Sequence, residues 1–509
     1  MLTEKVKRFY GMLEKVDRKK ERAIAWVFFT LLVFGVLLVM GTLTSGFHLV
    51  DDWEFAKYVD WMTLEGRSLW DCLKEAVGYD LTMRFRPLYY INRVLAAAVF
   101  GIDLTAMSVI KGIEIVITLV ALYYCARRMH CNMIYAFLFS LTVMTGYQSA
   151  VWWKLGPQES FGMMLFSVGF YLLLIRLENG NRWCAAGSAF LFFLMSTYKE
   201  SFILLLPFIM LYVVYDRMKG KKVTIAALWG GVAKSELPYL LTLGLILAAE
   251  LFLLVFVIGT NNYSYVGLDS RMTLEEYRAA WQLAFTHDLK WYLRFGIILW
   301  MILLTYWEQL KKLGWQIVLA LAVVLPQIVT YSKSAITERY ILPIVFGFAF
   351  FFVIVGCNIK EMGGKRKIVY MLCLLLMLAA HGRVTLYEAN YFTYRGNSIQ
   401  TMLETTLAYT QEHPQAKVLS CFDPNLEGNK TMYYWMRIHG YDDVFYWDED
   451  DMQISKWFGE HEDDKDILEN MDVVVMYNRE DRHWCYEPSM DLSDFTKQDC
   501  GTITMYFRK

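Results

Sequence analysis

Asp51 and Asp52 stand side by side in Ser45-Gly46-Phe47-His48-Leu49-Val50-Asp51-Asp52-Trp53, directly after the first long apolar run of the chain. Adjacent carboxylates so close to a membrane surface point to acid–base work at that surface. The same loop adds Glu54 and, further on, Arg84-Phe85-Arg86-Pro87. Three more mixed groups lie at the ends of later apolar runs: Trp152-Trp153-Lys154-Leu155-Gly156-Pro157-Gln158-Glu159, Tyr198-Lys199-Glu200, and Thr337-Glu338-Arg339-Tyr340. Carboxylates mixed with Arg and Lys at a lipid interface suit one reaction well, the displacement of a phosphate-linked lipid from a sugar. A carboxylate takes the proton of an acceptor hydroxyl as its oxygen attacks the anomeric carbon, a contribution of about 10² to 10⁴ in rate. The departing lipid phosphate needs fixed positive donors, and planar guanidinium groups bind phosphate oxygens in pairs. Asp51 or Asp52 fits the first role; Arg86, with Arg84, Lys154 or Arg339, fits the second.

The elements that must position these groups are membrane helices. Hydrophobic residues make up 56% of the chain and aromatic residues 16%, with a mean hydropathy of +0.30, far from a soluble average. Apolar runs at 24–43, 105–126, 133–151, 158–175, 184–198, 201–215, 238–259, 291–307, 315–331, 340–358 and 367–384 predict a mainly α, polytopic protein of about eleven spans. The net charge of −1 says little; the distribution of Lys and Arg between loops says more. A basic segment, 1–23, precedes the first run and reads as cytoplasmic, and that run reads as an uncleaved anchor. Arg127 and Arg128, Arg176 and Arg182, Arg217 to Lys222, Lys311 and Lys312, and Lys360 to Lys367 fall in loops on that same inner side. The acid-and-base groups then share the outer face of a cell membrane, in a bacterial setting.

Pro87 to Phe100 is short for a span and carries Asn92 and Arg93, so it reads as a re-entrant or interfacial helix on the outer face. The expected organisation is a membrane domain, 24–384, whose first outer loop, 44–104, is catalytic, followed by a small outer α/β domain, 385–509. In that domain Lys417 to Phe422, Met471 to Tyr477 and Thr502 to Phe507 read as strands, and Ser398 to Glu412 as a helix.

No CxxC pair, HExxH or Walker A loop occurs, which sets aside zincin and P-loop ATPase chemistry. A Cys485 to Cys500 disulfide is allowed on the outer side but not demanded. Plainer roles compete at each candidate: Trp152 and Trp153 as interfacial anchors, Lys199 with Glu200 as a helix-end pair, Arg339 reaching for headgroups, and Asp52 as the cap of a helix starting at Trp53. Convergence of the groups on one face favours function. The rival class is a transporter or flippase of a lipid-linked or anionic substrate, which would hold ionisable groups at midplane and paired broken helices. Its candidates are Lys111 with Glu114, and Glu250. A second rival is a scaffold whose outer domain binds a wall polymer.

The order Asp51-Asp52-Trp53, Arg84-Phe85-Arg86-Pro87-Leu88-Tyr89-Tyr90, Leu155-Gly156-Pro157-Gln158-Glu159 and Tyr198-Lys199-Glu200-Ser201 resembles GT-C fold glycosyltransferases. The motifs resemble those of the bacterial relatives of protein O-mannosyltransferases and aminoarabinose transferases. The resemblance covers roughly residues 20 to 345. It implies a polyprenyl-phosphate sugar donor, an extracytoplasmic acceptor (glycan, lipid or wall polymer) and inversion at the anomeric carbon. It also implies Asp51 as base with Asp52 as alternative, and Arg86 on the donor phosphate. Lys199, Arg339 and Tyr340 fall along the lipid-phosphate path, and Trp53, Glu159 and Glu200 shape the substrate site. Phe85 replaces an acidic residue often found before the basic one, so a divalent metal, though possible in the family, is not expected and no cofactor is assigned. Tyr446, Trp447 or Trp457 of the outer domain are acceptor-binding candidates, though such rings are more often core.

Overall fold

The computed structural model of the chain describes residues 17–82, 84–219, 221, 230, 232, 234–258, 273–331, 338–360, 362, 364–422, 427–448, 453–456, 460–461, 470–478 and 491–509. Every apolar run expected to span holds a helix. Among the described residues seven helices are long and apolar enough to cross a membrane, or eight if Met133–Met144 and Tyr147–Trp153, bent by 74°, form one broken span. The other expected spans are short: Arg182–Tyr198 has 17 residues, Lys290–Leu304 has 15, and the apolar part of a third is Gly314–Ile328.

Packing follows the apolar stripes. Arg18–Val39 buries a single stripe, Ala25, Phe29, Val33 and Leu37 at four-residue spacing, against Leu104–Arg128, and leaves Leu31, Leu38 and Val39 facing outward. Glu21 on that stripe accepts from Tyr123 Oη at 2.7 Å and Arg127 Nε at 2.5 Å, which ties the two helices at one end. Inside, Phe166, Phe170, Phe208 and Phe346 form a ring cluster with centroids 4.9 to 6.5 Å apart.

The loops sort into two ends. Arg128, Glu178, Lys219, Lys221, Lys312 and Lys360, from loops all expected on the inner side, line one cleft of about 600 Å³. The mixed acid-and-base groups gather at the other end. Pro87–Phe100 begins beside Glu200 through Arg86 and ends beside the first loop, where Phe100 and Leu104 pack with Phe47 and Leu49. Both its ends lie at the same end of the bundle.

Gly364–Glu412 is one helix of 49 residues, about 74 Å at the α-helical rise. The expected boundary at 385 falls inside it. The chain has no proline there, and Gly382 and Gly396 each cost only about 1 kcal/mol in a helix. The apolar first half therefore continues into an amphipathic second half that carries the small domain.

That domain is a seven-stranded mixed sheet of order β4-β3-β2-β1-β5-β7-β6, with β1 Val418–Ser420, β2 Val444–Asp448, β3 Gln453–Lys456, β4 Glu460–His461, β5 Val473–Tyr477, β6 Phe495–Cys500 and β7 Ile503–Arg508. The three runs read as strands are β1, β5 and β7, and the helix expected at 398–412 is present. β1 runs parallel to β2 and β5, and its crossover to β2 is the helix Gly428–Ile438. β1 and β5 are buried on both faces: Val418, Val473 and Val475 pack toward the membrane part, while Leu419, Val474 and Met476 pack on the far side. Trp457 and Cys485 lie outside the described residues, and so therefore do that acceptor candidate and the Cys485 to Cys500 pairing.

Replacing Phe346 by Ala removes the ring shared by the whole aromatic cluster. The expected loss is about 3 to 5 kcal/mol of stability, read as a lower denaturant midpoint in detergent with an unchanged slope.

Candidate active site

The site is built on the loop 45–52, and the loop is held from several sides. Leu49 and Asp51 both have φ of +56°, a left-handed backbone that costs a non-glycine residue about 1 to 2 kcal/mol. Two glycines permit the contacts that enforce it. A Cβ on Gly156 would stand 1.6 Å from the carbonyl oxygen of Val50, and one on Gly396 would stand 2.1 Å from that of Ser45. The turn after the third apolar run and the long helix thus press on the loop backbone from opposite directions.

Arg93, on the helix Pro87–Phe100, joins these parts. Its guanidinium donates to the carbonyl oxygens of Asp51 and Gly156, and Nε lies 3.2 Å from Glu54 Oε2. Only 3% of its side chain is exposed. Lys111 supports the same turn from below, donating to the Pro157 carbonyl at 3.2 Å.

The other charged candidates form short pairs around this centre. Arg86 is gripped by Asp80 through Nη2 at 2.7 Å and Nε at 3.0 Å, and it lies 3.9 Å from Glu200. Lys199 pairs with Glu159 at 3.2 Å, Lys154 with Glu338 at 3.1 Å, and Arg339 Nη1 lies 3.5 Å from Asp51 Oδ2. Lys199 and Glu200 do not pair with each other as read from sequence. Lys199 is extended, at φ −148° and ψ 115°, so neighbouring side chains point to opposite sides. Arg339 turns inward to Asp51, and its Nη2 donates to Tyr340 Oη at 3.0 Å. Arg84 lies in the same approach, close enough to Glu200 to favour its ionised form. Trp152 and Trp153 are not interfacial anchors: both are buried, and Trp152 Nε1 donates to the Met144 carbonyl at 3.0 Å. Trp53 stacks on Tyr434 of the sheet domain at 5.9 Å.

Exposure separates the two aspartates. Asp51 keeps 35% of its side chain open, against 0% for Asp52, 12% for Glu54, and 3% each for Glu159 and Glu200. Asp52 stands at the N-terminus of Trp53–Thr63 without capping it; its carboxylate turns back to accept the amides of His48 at 2.5 Å and Val50 at 3.3 Å. Burial pushes Asp52 up to about 6, against these hydrogen bonds and Arg93. Burial also opposes ionisation of Asp51, but Arg339, Arg93, Arg86 and Lys199 outweigh it and hold its carboxyl below the ordinary value. Ser45, His48 and Asp52 follow the order of a hydrolase relay, with Ser45 Oγ 2.7 Å from His48 Nε2. All three are 1% exposed or less, and His48 Nδ1 is 3.8 Å from Asp52, so the set braces a turn and offers no nucleophile. Burial, with Lys154, Arg395 and Lys111 nearby, holds His48 neutral, down to about 3.

Three neighbours of the site are not legible in the sequence reading. Asp80 grips Arg86, and an acid six residues before that arginine is the available signal. Arg93 was noticed only as an obstacle to a span. Glu427, 376 residues from Asp51, accepts the Asp51 amide through Oε2, and no local signal marks it. Among the described residues no three His, Cys, Asp or Glu side chains converge as metal ligands.

No protein-family model matches the sequence, and no curated protein matches it significantly. The fold is similar to ArnT from Cupriavidus metallidurans bound to undecaprenyl phosphate, with a TM-score of 0.52 at 13% identity over 95% of this chain and 98% of that one. The apo state of the same protein gives 0.51 at 12% identity with the same coverage. An Archaeoglobus fulgidus oligosaccharyltransferase tethered with an acceptor peptide gives 0.44 at 10% identity, over 88% of this chain and 69% of that one. The chain is therefore a polytopic membrane protein with the GT-C fold, mainly helical with a small C-terminal sheet, as its motifs implied.

Gly156→Ala is expected to displace the loop: amide exchange across 46–53 rises by about tenfold or more while the helices stay protected, read by exchange mass spectrometry. Asp52 also sets a pH dependence. Its carboxyl is raised on folding, so its favourable contribution is complete below about pH 4 and is lost as pH rises through about 6, a change of about 3 kcal/mol. Asp52→Asn is expected to flatten the melting temperature between those pH values relative to wild type.

Proposed function

We propose that this protein is an inverting membrane glycosyltransferase that moves a sugar from a polyprenyl-phosphate donor to an extracytoplasmic acceptor, with Asp51 as general base. The observation that carries this is the part-open carboxylate of Asp51, lying 3.5 Å from Arg339 and within the field of Arg86 and Lys199, whereas Glu338, as exposed at 34%, is held by the Lys154 ammonium at 3.1 Å. A base that must stay ionised needs neighbouring cations, and a departing phosphate needs them more. The capture of ArnT, which shares the fold, with undecaprenyl phosphate supports the donor class.

In the proposed step the acceptor hydroxyl gives its proton to an Asp51 carboxylate oxygen while its own oxygen bonds to the anomeric carbon. The bond from that carbon to the lipid-phosphate oxygen breaks on the opposite face, which inverts the centre. The electron pair leaves on the phosphate. Arg339, 25% exposed and 3.5 Å from Asp51, is the guanidinium that would meet the leaving oxygens. Arg86 and Lys199, anchored by Asp80, Glu200 and Glu159, supply fixed field rather than a moving contact. Lys154, held on Glu338, extends the cationic wall beside Arg339. Asp52, closed into its turn, aims Asp51 rather than sharing its role.

The carrier reading has less support. Glu250 accepts Ser196 Oγ at 2.5 Å and Lys111 braces the Pro157 turn, so these groups are occupied in packing. One bent helix pair occurs among the described residues, where that class pairs two.

In vesicles holding a panel of polyprenyl-phosphate sugars and an acceptor-rich extract, wild type is expected to release polyprenyl phosphate. Asp51→Asn is expected to lose at least about 10² in kcat, whereas Asp52→Asn loses less. Release undiminished in Asp51→Asn would remove the base assignment. A pH test is independent of the sugar. Asp51 is held down by Arg339, so activity persists as pH falls below the ordinary carboxylate range, and Arg339→Gln is expected to move the acid limb of kcat to higher pH.

A further inference from the structure

The amide of Asp51 points away from the membrane part, at the sheet domain. Its partner is Glu427, which sits at the N-terminal end of the helix Gly428–Ile438. That helix runs alongside Trp53–Thr63, and the two meet along their length. Glu427 meets Asp51, Lys430 lies over the Trp53 ring at 4.8 Å, Tyr434 stacks on the same ring, and Arg437 Nε pairs with buried Asp60 at 3.2 Å. Met432 and Met436 enter the core cluster that holds Phe47, Leu49 and Phe55 of the loop region.

Glu427 is also fixed from behind. Buried Asn429 bonds Ser420 Oγ at 2.5 Å and the Phe422 carbonyl at 2.9 Å, and a Cβ on Gly428 would stand 2.7 Å from the Phe422 ring. A rigid connection therefore runs from the end of β1 through Asn429 and Glu427 to the Asp51 backbone.

We propose that Glu427 is a positioning residue of the active site: its carboxyl holds the Asp51 amide in the left-handed backbone that aims the base, so the sheet domain completes the catalytic loop. This rests on Asp51 being the base. Arg93 fixes the carbonyl side of the same residue and Arg339 faces its carboxylate, so Glu427 closes the third side. The choice of an acid here is informative. A backbone carbonyl or an amide would accept the same N–H without bringing a fourth carboxyl beside Asp51, Asp52 and Glu54. Burial and those three neighbours raise the Glu427 carboxyl well above the ordinary range, and its Oε2 is the oxygen that accepts the Asp51 amide. Glutamine reproduces that oxygen; alanine and the shorter aspartate do not.

The test measures donor turnover together with amide exchange of the 46–53 segment in the full-length protein, for Glu427→Ala, Glu427→Asp and Glu427→Gln beside Asp51→Ala. A displaced base costs up to about 10² in rate. Alanine and aspartate are expected to lower kcat by about 10 to 10², leave the donor KM within about threefold, and speed exchange of the segment. Glutamine is expected to recover most of both losses. Wild-type kcat and exchange in Glu427→Ala, or no recovery by glutamine, would overturn the proposal. Should Asp51→Ala itself turn over normally, the base reading fails instead, and the exchange arm still decides whether Glu427 holds the loop.

Discussion

One buried guanidinium organises the site. Arg93 binds the backbone of the first loop, the backbone of the 156–157 turn and the carboxylate of Glu54 at once. Hydrogen bonds to a charged group are worth about 1.5 to 3 kcal/mol each, enough together to hold the strained residues Leu49 and Asp51 in place. The same burial makes the arrangement all-or-none. Removing one partner of such a buried charge costs about 3 to 5 kcal/mol, because the group left behind has no water to turn to. The helix Pro87–Phe100 matters because it delivers this residue to the loop.

Around that hub the charges are sorted by exposure. Asp80, Glu200 and Glu159 neutralise Arg86 and Lys199 in buried pairs that form a stiff wall, and part-open Glu338 holds buried Lys154 beside it. Asp51 and Arg339 form a pair in which both members are part-open, and they stand at 3.5 Å. An ion pair in this state is ready to be separated by a substrate that offers a hydroxyl to one member and a phosphate to the other. In the proposed mechanism the wall sets the field and the part-open pair meets the substrate.

Much of this was legible in the chain. Apolar runs gave the helices, and the acid-and-base groups at their ends gave the residues that converge. What failed to show was direction. Asp51 and Asp52 are neighbours with the same chemistry, and only the left-handed turn decides that one faces out and the other folds back on His48 and Val50. Lys199 and Glu200 read as a pair because they are adjacent, yet an extended backbone sends them to different partners. Trp152 and Trp153 read as anchors because they follow an apolar run, but the bend at Tyr147 folds that run inward. Glu427 was out of reach, because a contact across 376 residues leaves no pattern in either segment. The boundary expected at 385 marked a change of composition within a helix, not a break in the chain's path.

The claim that one end of the bundle holds both base and leaving phosphate is tested most directly by an experimental structure with a polyprenyl phosphate bound. The account places the phosphate at Arg339, beside Asp51 and in front of Arg86 and Lys199. A phosphate seated instead in the cleft of Arg128, Lys219, Lys312 and Lys360 at the opposite end, with the Asp51 side empty, would contradict it.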